Sequence, residues 1–200
     1  MNSPVSSVSY LARAQTLCKK EDKESLFYAA LELRCGIEAR LREHVAVAKD
    51  VPKNRAREWR IAKLAKTVDG SFQLGDSMVI VFLTLADGRT CQFMYSPVST
   101  QLQAIGERCG DYLHAIQPER LESPTFWADF RSLVAEGCGL LNLACSSEIL
   151  RPSFSDGLHF NLQPDDPRIT LLQDLNSGMA GSFQVAKITP TGPITYYPNA

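Results

Sequence analysis

The stretch from residue 21 to 48, EDKESLFYAALELRCGIEARLREHVAVA, limits what this chain can become more than any other. Apolar or small residues recur at Leu26, Ala30, Leu33, Ile37, Leu41, Val45 and Ala48. Gaps of three and four keep such side chains on one face of a 3.6-residue helix. Phe27, Ala29 and Leu31 widen the stripe at its start, which predicts deeper burial there. Glu21, Asp22 and Glu24 suit the positive end of the helix dipole. Pro52 forces an end just before it, because the residue preceding a proline is pushed out of the α region. One uninterrupted helix of this length is about 40 Å long, enough to be the spine of a bundle.

Two polar residues, Arg40 and His44, lie on or beside that stripe, four apart and on the same side. A histidine next to a fixed positive charge is a candidate proton-transfer group. The structural alternative is a half-buried histidine bonded to a neighbour, with Arg40 reaching solvent over its aliphatic stem.

The rest of the chain divides by period. Ser3-Pro4 reads as a cap and first-turn proline for a helix running to about residue 19. Asn54 is placed to cap a third helix to about residue 67. Residues 71–74 suggest a short strand. The runs 77–85 and 89–98 flank Ala86-Asp87-Gly88, a strong hairpin signal, and the nearly all-apolar first arm predicts a central strand. Helices are expected at 100–116 and 124–143, and strands at 158–162, 169–175 and 181–189 in the tail. The expected fold is therefore α+β: a helical front half packed with a small, mostly antiparallel sheet, with the two later helices covering it. This separates a helical segment, 1–68, from an α+β portion, 69–200, containing the hairpin 77–98, the two helices and a β-rich tail, 157–198. The two form either separate domains or one compact domain.

Net charge is −1, but it is unevenly placed. Residues 1–67 carry 14 Lys/Arg against 8 Asp/Glu, a net +6, and the remainder carries 7 against 14, a net −7. Either the halves complement each other or the front half meets a polyanion. The densest basic run includes Lys53, Arg55, Arg57, Arg60 and Lys63, a row suited to a phosphate backbone. Trp59 within it could stack on a base or dock into the bundle.

Six cysteines without CxxC spacing and three scattered histidines predict free thiols in a reducing compartment and no metal site. Asp165-Asp166 is a carboxylate pair that reads as a turn. No nucleotide-binding glycine loop, GxSxG or HExxH occurs, so no cofactor is expected. The start lacks signal-peptide architecture, and the longest apolar run, MVIVFL, is far too short to span a bilayer. The expectation is a cytoplasmic protein that does not engage a membrane.

The run ESLFYAALELRCGIEARL, 24–41, resembles the long helix that opens many HEPN-type domains, the higher eukaryotes and prokaryotes nucleotide-binding group. The resemblance covers about a fifth of the chain. It implies a four- or five-helix bundle that faces RNA or a nucleotide and often pairs with a second copy, in toxin–antitoxin, CRISPR-linked or phage-defence systems. Active members are metal-independent ribonucleases carrying an Arg, a polar residue and a nearby His. The nearest match here is Arg40-Leu41-Arg42-Glu43-His44, which has one residue too few between Arg and His and a leucine after the Arg. Members without the motif serve as binding or scaffolding subunits. Two functions follow: a non-catalytic binding or assembly subunit with a basic face for RNA or nucleotide, or a ribonuclease using Arg40 and His44.

Overall fold

The computed structural model describes residues 3–48, 51–52, 58–114, 122–152, 157–189 and 195–198. The architecture is α+β, and the chain forms two compact units, each assembled from separate segments.

The helical unit takes Met1–Gln73 and Val98–Cys145. Its helices are α1 (Ser7–Cys18), α2 (Lys23–Val47), α3 (Ile61–Phe72), α4 (Thr100–Leu113) and α5 (Pro124–Cys145). As the spacing predicts, α2 is one unbroken helix, and all four others pack on it. Leu26, Ala30, Leu33, Ile37, Leu41 and Val45 are all buried. Asp22 caps its start, accepting the Ser25 N–H at 2.6 Å; those Ser25 bonds hold the carboxyl below its ordinary range. The first helix begins later than Ser3-Pro4 suggests, with Ser6 as its cap.

Close helix approach explains two glycines. A Cβ at Gly36 would lie 2.7 Å from Leu141 Cδ2 and 3.2 Å from Tyr10 Cβ, so α1 and α5 converge on that point of α2. A Cβ at Gly137 would lie 2.6 Å from Leu33 Cδ2 and 2.8 Å from Ile105 Cγ2.

The second unit takes Leu74–Pro97 and Ser146–Ala200. Strands β1 (Met78–Leu85), β2 (Thr90–Tyr95), β5 (Gly181–Ile188) and β6 (Thr195–Pro198) form an antiparallel sheet in the order β2-β1-β5-β6. The apolar arm β1 is an interior strand, as expected. Its loop is the Ala86-Asp87-Gly88 signal: the Gly88 N–H bonds Leu85 O at 2.9 Å, and Gly88 takes φ 86, a left-handed turn position. A second hairpin pairs β3 (Ile149–Pro152) with β4 (Leu158–Phe160). Phe160 meets Phe93 of β2 at a centroid distance of 4.6 Å.

Four expectations change. Helices 100–116 and 124–143 belong to the helical unit, so the boundary near 68 does not divide the chain; residues 115–116 lie outside the described residues. Residues 71–74 are not a strand: α3 runs to Phe72 and ends on Gln73, which takes a left-handed φ of 54. Residues 169–175 form a helix, α6 (Arg168–Asn176), despite their β-rich composition. Local cap chemistry decides this. Pro167 already has αR angles, and Asp166 accepts the Arg168 N–H at 2.9 Å and its Nε at 2.9 Å. The carboxylate pair is thus half spent on a helix start. Finally, the structure adds a strand, β3, that no expectation covers.

Arg168 also bonds Gln92 O at 3.0 Å, pairs with Glu148 and lies 5.1 Å from the centre of the Phe93 ring. It pins α6 to β2. Its side-chain and backbone bonds bring the Asp166 carboxyl down to about 2. A carboxyl below its unfolded value near 3.9 stabilises the fold above that pH and loses its contribution as pH falls towards 2. Asp166→Asn should therefore reduce the acid sensitivity of the urea midpoint between about pH 5 and 2, with little change in slope above it.

Packing gives a second expectation. Gly137→Ala should destabilise by about 1–3 kcal/mol through overpacking. Gly139→Ala, where a Cβ meets nothing within 4 Å, should stabilise by about 0.5–1 kcal/mol. Urea denaturation of both variants distinguishes crowding from helix propensity.

Candidate functional site

The Arg40–His44 pair sits on the packed side of α2. Arg40 is 1% exposed and His44 is 0% exposed. The His44 ring meets Phe72 of α3 edge-on at 6.0 Å between centroids. Neither side chain faces a groove.

Between them in sequence, Glu43 explains what Arg40 does. Its Oε1 accepts the Ser7 N–H at 2.9 Å and its Oε2 accepts the Ser7 hydroxyl at 2.8 Å. Arg40 Nη1 donates to the same Oε2 at 3.0 Å. A carboxylate from α2 thus closes the N-terminal end of α1, where backbone N–H groups lack helical partners and the dipole favours negative charge. The buried guanidinium holds that carboxylate in place. Two residues of the sequence motif, Arg40 and Glu43, thus form a clamp with Ser7 between two helices.

The basic row is a different kind of place. Lys53, Arg55 and Arg57, with the proposed Asn54 cap, lie outside the described residues. Arg60 and Lys63 are exposed at the start of α3, with Lys66 one turn on. Ile61, Leu64, Ala65 and Val68 turn the opposite face into the core. Trp59 does not dock into the bundle: it is 57% exposed.

Glu58 organises this end. Its Oε1 accepts the Trp59 and Arg60 N–H groups at 3.0 and 3.1 Å, and its two oxygens take the Arg60 guanidinium at 3.0 and 2.9 Å. Lys63 Nζ stands 3.8 Å from Oε2. The Arg60 bonds, the largest influence, bring the Glu58 carboxyl down to about 2. Arg60 is therefore partly neutralised and held still, while Lys63 has only a loose pairing with Glu58.

Two concave surfaces were not legible in the sequence. One, about 540 Å³, runs along α1 and α2 and is lined by Val5, Tyr10, Cys35, Glu38, Ala39, Arg42, Glu43 and Ala46. The other, about 440 Å³, lies in the second unit among Leu158, Phe160, Leu172, Leu175 and Phe183. It depends on 168–176 being helical, so a strand assignment hid it.

Among the described residues no group of three or more His, Cys, Asp or Glu side chains is placed to hold a metal ion. No helix of the described residues is long and apolar enough to cross a membrane. No family model, curated protein or solved structure matches the chain.

The clamp yields a direct expectation. Glu43→Ala removes the acceptor for Ser7 and the carboxylate beside buried Arg40. It should cost on the order of 3 kcal/mol, read from chemical denaturation, and should increase hydrogen exchange at the first turn of α1.

Proposed function

We propose that the chain is a non-catalytic binding or assembly subunit that holds single-stranded RNA on the basic segment leading into α3. The observation that carries this reading is the exposure of Trp59 beside Arg60, Lys63 and Lys66. An exposed aromatic next to cations provides a stacking platform and a phosphate contact, the two parts of sequence-tolerant single-strand binding. Lys53, Arg55 and Arg57 extend the same run of positive charge in sequence.

The HEPN-type likeness of 24–41 supports RNA over other polyanions. The setting proposed with it is the cytoplasm, in a prokaryotic defence or toxin-type system, joined to another subunit or a second copy. Val5 just before α1, Val8 on α1, and Tyr28 and Leu31 on α2, all exposed, suit such a partner. The burial of Arg40 and His44 supports binding over RNA cleavage, since both would have to reach the scissile phosphate.

Titrating a fluorescent single-stranded RNA at several salt concentrations tests this. Lys63→Gln and Lys66→Gln should each weaken binding and flatten the log–log salt slope by about 0.7. Trp59→Ala should cost about 1–3 kcal/mol with the salt slope unchanged. RNA that fails to bind, or binds equally to the triple variant, overturns the proposal.

A further inference from the structure

We propose that Glu58 is an internal competitor for RNA phosphate: it withholds Arg60 and so limits how tightly the basic segment holds its ligand. This rests on the reading of that segment as the RNA contact, and adds the residue that restrains it.

The Arg60 guanidinium turns its Nε and Nη2 edge to the two Glu58 oxygens, at 3.0 and 2.9 Å. That two-pronged edge is the part of arginine that recognises phosphate, and one edge cannot serve both anions at once. The carboxylate is itself held, because Oε1 also accepts the Trp59 and Arg60 N–H groups at 3.0 and 3.1 Å. Drawing Glu58 aside therefore breaks backbone bonds as well as the ion pair. Lys63 is placed differently: its Nζ lies 3.8 Å from Oε2, beyond ordinary hydrogen-bond length.

Tethering decides the competition. Glu58 stands two residues from Arg60, and a group tied that closely acts at an effective concentration on the order of millimolar. RNA at micromolar concentration meets a competitor already in place. Charge gives the phosphodiester no advantage, since it carries one negative charge per nucleotide and the carboxylate carries one too. The Arg60 side-chain bonds, the largest influence, keep the Glu58 carboxyl at about 2, and the same pairing raises Arg60. Both partners are thus ionised at neutral pH.

RNA is then gripped by Trp59, Lys63 and Lys66, all exposed, while Arg60 stays on Glu58. Removing the carboxylate charge frees a guanidinium beside the stacking ring and adds one phosphate contact. Such a gain belongs to Arg60 alone. A general loss of negative charge anywhere on α3 would act through every cation of the face, and more weakly, because salt screens exposed charges.

Titrating a fluorescent oligouridine into the full chain and its variants, at several salt concentrations, tests this. Glu58→Gln should tighten binding about threefold to fivefold, the upper range for one exposed ion contact, and steepen the log–log salt slope by about 0.7. Arg60→Gln alone should change affinity less than about twofold, whereas in the Glu58→Gln background it should take back the whole gain. Asp69→Asn, which removes the same charge from the exposed face further along α3, should give less than about twofold. Arg60→Gln keeps Glu58 and its backbone bonds, so that arm does not depend on the Glu58 variant folding. Three results overturn the inference alone: Glu58→Gln binding like wild type, a gain that survives Arg60→Gln, or an equal gain from Asp69→Asn. Oligouridine bound by neither wild type nor Glu58→Gln overturns the RNA reading with it.

Discussion

Everything in the helical unit depends on keeping water away from one side of α2. Its stripe from Leu26 to Val45 is covered by four other helices. Three of them, α1, α3 and α4, have only 12, 12 and 14 residues, and helices that short draw their stability from packing of an amphipathic face. The glycines at 36 and 137 set how near the covering helices come. The Ser7–Glu43–Arg40 clamp sets where α1 begins. Apolar contact draws the elements together, and a few buried polar bonds choose the register.

The same division of labour appears in the second unit. Alternating side chains of β1 bury Val79, Val81, Leu83 and Leu85, while Arg168 fixes α6 against β2 through bonds to Gln92, Asp166 and Glu148. Arg89 does this at the other end, reaching Asp87 within its own turn and Asp174 on α6 at 2.7 Å each. Two arginines hold one short helix whose apolar content gives it little grip of its own.

Long periodic features were legible in the sequence, and local chemistry was less so. The α2 rod follows from spacing, the hairpin from its Asp-Gly turn and the interior position of β1 from its nearly all-apolar run. So, in hindsight, does the burial of Arg40 and His44, because both continue the apolar row rather than its polar edge. Residues 169–175 have a β-rich composition, but the Asp166-Pro167-Arg168 start, whose bonds favour a helix, outweighs it. At residues 71–74 no glycine marks the helix end, because a non-glycine, Gln73, adopts the left-handed turn that ends α3. The clamp was hidden for another reason. Its partners are far apart in the chain, and no spacing rule joins Ser7 to Glu43.

The chain passes three times between its two units: it leaves the helices after Gln73, returns at Val98, and leaves again after Cys145. Each unit is thus an insertion in the other. No single cleavage of the backbone can liberate either one whole. A protease nick near 73 or 97 severs the helical unit's two segments from direct continuity, and one near 145 splits the sheet's hairpin from β5. During synthesis the β1–β2 hairpin emerges early and must wait for α4, α5 and α6 before β5 arrives to complete its other edge. An exposed strand edge invites pairing with other chains, so the interval before β5 appears is when the nascent chain is most open to misassociation.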